Sequence, residues 1–251
     1  MPIIKRFWAR KRFLLCLLIA VVLLLTIGTL NGLKPDVKNT DSQENIEHWI
    51  WQHQHLNLAK SSSGLVIMQG EYQLNDGQVI FIKKGVAPSY IKGSTPVRLL
   101  FRAYQLPPID VFIKHIDYLI YHWKLAGTEV VGVQIDYDSP SQQLAQYRQY
   151  VSKLSERYGS YFMSITGLAS WLADNMNGLN QFAGVIDYVA IQFYQFEQPI
   201  PQVEQYIKRL AELKTPYKIG VTNHVNFARL TFPANNYFIG KIIFTNAKAK
   251  Q

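Results

Sequence analysis

The chain has 251 residues, of which 48% are hydrophobic and 17% charged; that is enough to bury one sizeable core and tight for two full domains. The formal charge of +9 suggests nucleic acid at first sight, but Lys5, Arg6, Arg10, Lys11 and Arg12 all lie in the first twelve positions, with no acid among them. The remaining basic residues are scattered without a Lys/Arg cluster, which argues against a surface that tracks phosphates, and no repeat or low-complexity tract appears.

In chain order, residues 1–12 form a short basic segment. Residues 13–30, FLLCLLIAVVLLLTIGTL, then run without a charge. Eighteen apolar positions are about the minimum that spans a bilayer as a helix, and the preceding charge keeps the N-terminus on the cytoplasmic side. A cleaved signal peptide calls for a shorter apolar core and small residues at the cut, which TIG and TLNG do not supply. A lipoprotein calls for a Cys after the apolar stretch, whereas Cys16 sits near its start. The expectation is an uncleaved signal anchor over 13–30, followed by a polar tether over 31–45 and an exported domain over 46–251. Cys16 is the only cysteine, so the exported domain is expected to stand without a disulfide.

Beyond the tether, β-rich runs fall at 46–51, 64–72, 78–82, 96–101, 129–137, 161–166, 187–194, 217–222 and 237–244. Asn75-Asp76-Gly77 reads as a hairpin turn that makes 78–82 an accessory strand, leaving eight others. Helical patterns lie between the later runs. After Pro107-Pro108, Phe112, Ile116, Leu119, Ile120 and Trp123 recur at three and four, up to Gly127. Leu144, Tyr147, Val151 and Leu154 do the same after Ser139 and Pro140, read as N-cap and first turn. Val203, Tyr206, Ile207 and Leu210 mark another helix, and a weaker one covers 170–184. Strand and helix in alternation predict parallel strands with right-handed crossovers. Eight strands predict an irregular (β/α)8 TIM-like barrel, preceded by the transmembrane helix, whose first third has too little room for helices. A doubly wound open sheet is the runner-up, but no Gly-rich phosphate loop follows any strand, and no cofactor is expected.

Residues 131–140 read VGVQIDYDSP. Alternate side chains of a strand share a face, so Gln134, Asp136 and Asp138 point into the barrel while Val133, Ile135 and Tyr137 meet the helices. A buried carboxylate without a partner is costly, and Asp138 falls at the C-terminal mouth, where β/α barrels keep their active sites. The other strand ends supply Glu71, Arg102 (sharing parity with Arg98), Thr166, Gln192, Tyr194 and Asn223, with Trp171 beyond one of them. Such a mouth suits a carbohydrate: carboxylates for proton transfer, amides and Arg for hydroxyls, aromatic faces for sugar rings. Asp136 and Asp138 are the candidate catalytic pair, with Glu71 as a further carboxylate and Glu197 as a spare. The competing view is a structural pair bonded to Arg98, Arg102 or backbone amides. His53 and His55 have a spacing that metals use but lack a third ligand, so no metal site is expected. Trp49 and Trp51 read as core, and His115 and His122 as solvated helix residues.

The runs VVGVQIDYDSPSQQLAQY, SITGLASWL and DYVAIQFYQ resemble a bacterial family called domain of unknown function 3142, over roughly residues 46–224. That resemblance implies a barrel-like domain with no assigned activity. A more distant likeness is to chitinase-type glycoside hydrolases, whose fourth strand carries D-G-x-D-x-D-x-E and a later strand M-x-Y-D. Gly132, Asp136 and Tyr194 match. Gln134 stands where an Asp is usual, Asp138 where the proton-donating Glu is usual, and Gln195 where the last Asp is usual. Taken with the apolar run 13–30, the likeness leads to the expectation of a glycoside hydrolase-like barrel acting on envelope or extracellular polysaccharide, anchored in the bacterial inner membrane with its domain in the periplasm or outside the cell. Asp138 would supply the acid chemistry, assisted by Asp136, with Gln134, Gln192, Tyr194, Arg102, Thr166, Trp171 and Asn223 holding the sugar. The alternatives are a non-catalytic carbohydrate-binding or scaffold barrel, and an assembly protein that binds through an aromatic surface.

Overall fold

A computed structural model describes residues 45–59, 61–91, 95–195, 198–222 and 231–245. The expected membrane segment 13–30, most of the tether, and Glu197, Asn223 and His224 lie outside the described residues. Among the described residues no helix is long and apolar enough to cross a membrane.

The strands are β1 (Ile46–Ile50), β2 (Gly64–Asn75), β3 (Gln78–Lys83), β4 (Val97–Ala103), β5 (Val130–Tyr137), β6 (Phe162–Leu168), β7 (Tyr188–Gln192), a small ladder of β8 (Tyr194–Gln195) and β9 (Gln198–Pro199), then β10 (Tyr217–Thr222) and β11 (Phe238–Phe244). The main sheet runs β1-β11-β10-β7-β6-β5-β4-β2, and β1 also pairs with β2, so eight parallel strands close into a barrel. The helices are α1 (Ile109–Leu125), α2 (Leu144–Arg157), α3 (Ser170–Asp174), α4 (Met176–Asn180) and α5 (Val203–Arg209). All of them lie in the crossovers between β4 and β10. The first third is irregular, as its short spacings demand: a 3-10 turn over His53–Leu58 joins β1 to β2, and the β2–β3 hairpin precedes β4. The turn between β2 and β3 has Asp76 and Gly77 at φ 48° and 79°, the two left-handed positions that a tight hairpin needs.

Two elements depart from the sequence expectation. The helix after Pro140 begins as a 3-10 turn over Ser141–Gln143, and the Ser139 hydroxyl donates to the Pro140 carbonyl instead of capping; the fixed Pro140 backbone delays the α-helix to Leu144. The weak helical run over 170–184 is broken in two at Asn175, whose side chain accepts from Gly178 N and starts α4.

The apolar material sorts into two cores, as a barrel requires. Val133 and Ile135 of β5 join Phe112, Ile116, Leu119 and Trp123 of α1 and Leu144, Tyr147, Val151 and Leu154 of α2 in the layer between strands and helices. Burying each such large side chain contributes about 1.5–3 kcal/mol. Inside the barrel, Trp49, Val66, Met68, Leu100, Tyr188, Ala190 and Ile242 form the second core. Below them lies an ionic layer. Glu47 pairs with Arg98 and, at 2.9 Å, with Lys218, and accepts from the Tyr188 hydroxyl at 3.0 Å. Burial pushes the Glu47 carboxyl up, but Arg98 and Lys218 outweigh it and leave the group below its ordinary value. The bond expected between Arg98 and the β5 carboxylates is therefore made to Glu47 instead, because Arg98 stands in register with Gly132, four residues before Asp136.

A bulge in β2 bears on the site. The register of β2 against β4 shifts between Met68 and Gly70, so the extra residue, Gln69, turns outward and accepts the Trp123 indole N–H at 2.8 Å. The shift puts Glu71 on the interior face beside Arg102, where simple alternation from Met68 would have turned it out.

Candidate functional site at the C-terminal mouth

The strand ends from β4 through β7, with β11 and the chain just after β1, open into a cavity of about 830 Å³, a size that suits a small ligand or a stretch of a larger one. Register builds its charged side. Arg102 of β4 pairs with Asp136 of β5, and on the other side with Glu71 of β2. One Arg102 guanidinium nitrogen donates to Asp136 Oδ2 at 3.3 Å, and the other lies 3.8 Å from Asp138 Oδ2. Thr166 of β6 donates to Asp136 Oδ1 at 2.7 Å.

The two aspartates differ in what they can reach. The Asp136 side chain is 5% exposed and that of Asp138 is 51% exposed. Burial pushes the Asp136 carboxyl up; Arg102 and the Thr166 hydroxyl oppose the shift, Asp138 and Glu71 reinforce it, and the group ends above its ordinary value. Burial works against the Arg102 charge, but Asp136, Tyr104, Asp138 and Glu71 together raise its pKa and keep it ionised.

The aromatic side of the cavity comes from the chain after β1, from β11 and from β8. Tyr194 stacks on Phe244 with centroids 5.8 Å apart and planes 7° apart, and Trp51 meets Phe244 edge-on at 5.5 Å. Arg102 lies over both Trp51 and Tyr104, at 5.7 and 5.1 Å. Trp49, Ser170, Gln192, Gln195, Gln202 and Tyr206 add to the polar and aromatic lining.

Of the residues expected from sequence, the cavity brings together Arg102, Asp136, Asp138, Thr166, Gln192 and Tyr194. Gln134 is placed one layer below, fully buried, accepting from the Trp49 indole and donating to Ser164 Oγ at 3.1 Å and Tyr188 OH at 3.3 Å. Glu71 faces the same end of the barrel but is paired with Lys84 at 2.5 Å and accepts from Gln73 at 2.8 Å. Trp171 is fully buried between strands and helices, and its indole donates to the Ser139 carbonyl at 2.9 Å. Trp51, Tyr104, Phe244, Tyr206 and part of Trp49 also line the cavity, beyond the residues expected there from sequence. The first two obey the alternation that selected the rest, since Trp51 follows Trp49 by two and Tyr104 follows Arg102 by two.

Elsewhere, His115 is half-buried against Tyr72, whose hydroxyl lies 2.7 Å from its Nδ1, rather than solvated as its helix position suggested. His53 stacks on Tyr90 at 5.0 Å. Among the described residues no group of three or more His, Cys, Asp or Glu side chains is placed to hold a metal ion.

The model of the family described as Domain of unknown function (DUF3142) matches residues 97–219, which carry the QIDYD, SITGLASW and IQFYQ motifs. Among solved structures, the chain is similar to the chitinase ICChI from Ipomoea carnea, with a TM-score of 0.50, 12% identity, and 80% of this chain and 94% of that one covered. It also aligns with the C-terminal domain of Legionella pneumophila ChiA, with a TM-score of 0.42, 11% identity, and 62% and 59% of the two chains covered. No curated protein matches the sequence. At 12% identity the likeness to that chitinase is one of fold alone.

Proposed function

We propose that this barrel binds a polysaccharide of the bacterial envelope or surroundings in its C-terminal mouth and cleaves it by acid chemistry at Asp138. The observation that carries the reading is the juxtaposition, in one cavity of about 830 Å³, of two carboxylates of unequal exposure and a wall of aromatic rings. Asp138 is open to the cavity and so is the carboxyl that can reach a glycosidic oxygen. Asp136 is buried and tied to Thr166 and Arg102, and burial pushes its carboxyl above the ordinary value. Its bond fixes one side of the Arg102 guanidinium, whose other nitrogen lies 3.8 Å from Asp138, so Asp136 acts on the open carboxyl through Arg102. Trp51, Phe244 and Tyr194 offer ring faces to sugar, and Gln192 and Gln195 offer amides to hydroxyls. The apolar segment 13–30 would hold the domain at the outer face of the inner membrane.

A second reading, a non-catalytic carbohydrate-binding barrel, is favoured by one observation. Arg102 lies within ion-pair distance of both aspartates, so the carboxyls of the mouth already have a charge partner of their own, as groups with a structural role do. The two are separated by a glycan panel screened for binding and for products with the full-length protein, wild type and Asp138→Asn. Turnover by wild type, with binding but no turnover by the variant, supports catalysis. Binding without products in either makes the protein a binding module.

A further inference from the structure

The mouth sets two carboxyls of unequal exposure against one cation. Among the described residues that line the cavity, the carboxyl and basic side chains are Arg102, Asp136 and Asp138, and Arg102 is engaged by both carboxyls. Asp138 is touched by Arg102 at 3.8 Å, beyond hydrogen-bond length, and half of its side chain is open to the cavity. The Arg102 guanidinium shows what this mouth does with a cation: it lies over the faces of Trp51 and Tyr104 while its nitrogens meet carboxylate oxygens. The stacked pair of Tyr194 and Phe244 continues the same aromatic wall. A carboxylate with open acceptors in a cavity walled by aromatic rings is a site for an ammonium group. A uronic acid would bring a like charge toward Asp138 and find the one lining cation already engaged.

On the reading that the mouth binds carbohydrate, whether or not it cleaves it, we infer that its ligand is a glycan with free amino groups, a polymer of glucosamine type, and that Asp138 selects the ammonium. The inference is tested by titration calorimetry of the full-length protein in detergent against four hexasaccharides: glucosamine, N-acetylglucosamine, glucose and galacturonic acid. The glucosamine hexamer is expected to bind about tenfold tighter than the acetylated one, as a charge-assisted hydrogen bond implies, and the preference is expected to shrink as salt is raised. Asp138→Asn is expected to lose the preference, and Asp138→Glu, which keeps the charge, to retain it. Tighter binding of the acetylated, neutral or acidic hexamer overturns the inference and leaves the carbohydrate reading standing. A glucosamine preference that survives Asp138→Asn also overturns it. Binding of none of the four removes the inference together with the reading beneath it.

Discussion

Arg102 and Asp136 face each other in register across β4 and β5, 3.3 Å apart, and the same guanidinium lies 3.8 Å from Asp138 two residues on. One cation thus joins the buried and the open carboxylate. The pair is not symmetrical, since Asp136 also accepts from Thr166 and lies within the barrel wall.

That asymmetry has a stability signature. Burial raises the Asp136 pKa in the folded protein above its unfolded value, so the folded state binds the proton more tightly. The carboxyl is cost-free at pH below its unfolded pKa and penalises folding as pH rises through the folded pKa. Asp136→Asn, which stays neutral, is expected to be at least as stable as wild type at neutral pH. Its advantage should vanish in acid, with a slope no steeper than about 1.4 kcal/mol per pH unit, the limit for one proton. Thermal unfolding of both proteins across a pH series measures this, and the same variant should lose function.

The ionic layer beneath behaves in the opposite sense. Despite burial, Arg98 and Lys218 hold the Glu47 carboxyl below its ordinary value. It contributes stability that is present above its unfolded pKa and lost as pH falls through the folded one. Glu47→Gln strands two buried cations and is expected to cost about 3–5 kcal/mol near neutral pH. The cost should fade in acid. Urea unfolding near neutral pH and in acid checks both parts.

The strand packing around the site makes a steric prediction. A Cβ on Gly132 would lie 2.4 Å from the Phe162 carbonyl oxygen and 2.8 Å from its Cβ, at the point where β5 and β6 pair. Gly132→Ala is expected to destabilise by at least about 1–3 kcal/mol, since close-packed strands cannot part cheaply. Chemical denaturation reads this directly.

Much of this was legible in the chain. Alternation in VGVQIDYDSP sorts Gln134, Asp136 and Asp138 from Val133 and Ile135, because the pleat has a strict period of two. The count of eight strands, the hairpin at Asp76-Gly77 and the thin first third follow from spacing and turn chemistry. Depth was not legible: alternation says that Gln134 points inward, but not that it lies a layer below the mouth among Trp49, Ser164 and Tyr188. Glu71 reaches the interior through a bulge whose local sign is Gly70, where any Cβ would strike the Phe81 ring at 2.4 Å. Trp171 follows a strand end, yet the short α3 folds it back under Ser139. Glu47 and Lys218 come from opposite ends of the sequence, and only barrel closure brings them together.

The two tryptophans of β1 and its exit separate packing from binding. Trp49 is 2% exposed in the barrel core, and Trp49→Ala is expected to cost about 3–5 kcal/mol of stability. Trp51 is half-buried in the cavity wall against Phe244 and Arg102. Trp51→Ala is expected to cost less stability and to weaken oligosaccharide binding about three- to tenfold, the worth of one aromatic contact. Melting curves and titrations on the same preparations test the contrast.

On the proposed reading, the mouth between Asp138 and the aromatic wall holds a sugar chain. The most direct test is a crystal structure of the protein with the tightest-binding oligosaccharide of the panel. Sugar rings are expected against Trp51, Tyr194 or Phe244, with an Asp138 oxygen in hydrogen-bond contact with the glycan. An oligosaccharide bound at another face, with this cavity empty, would contradict that reading.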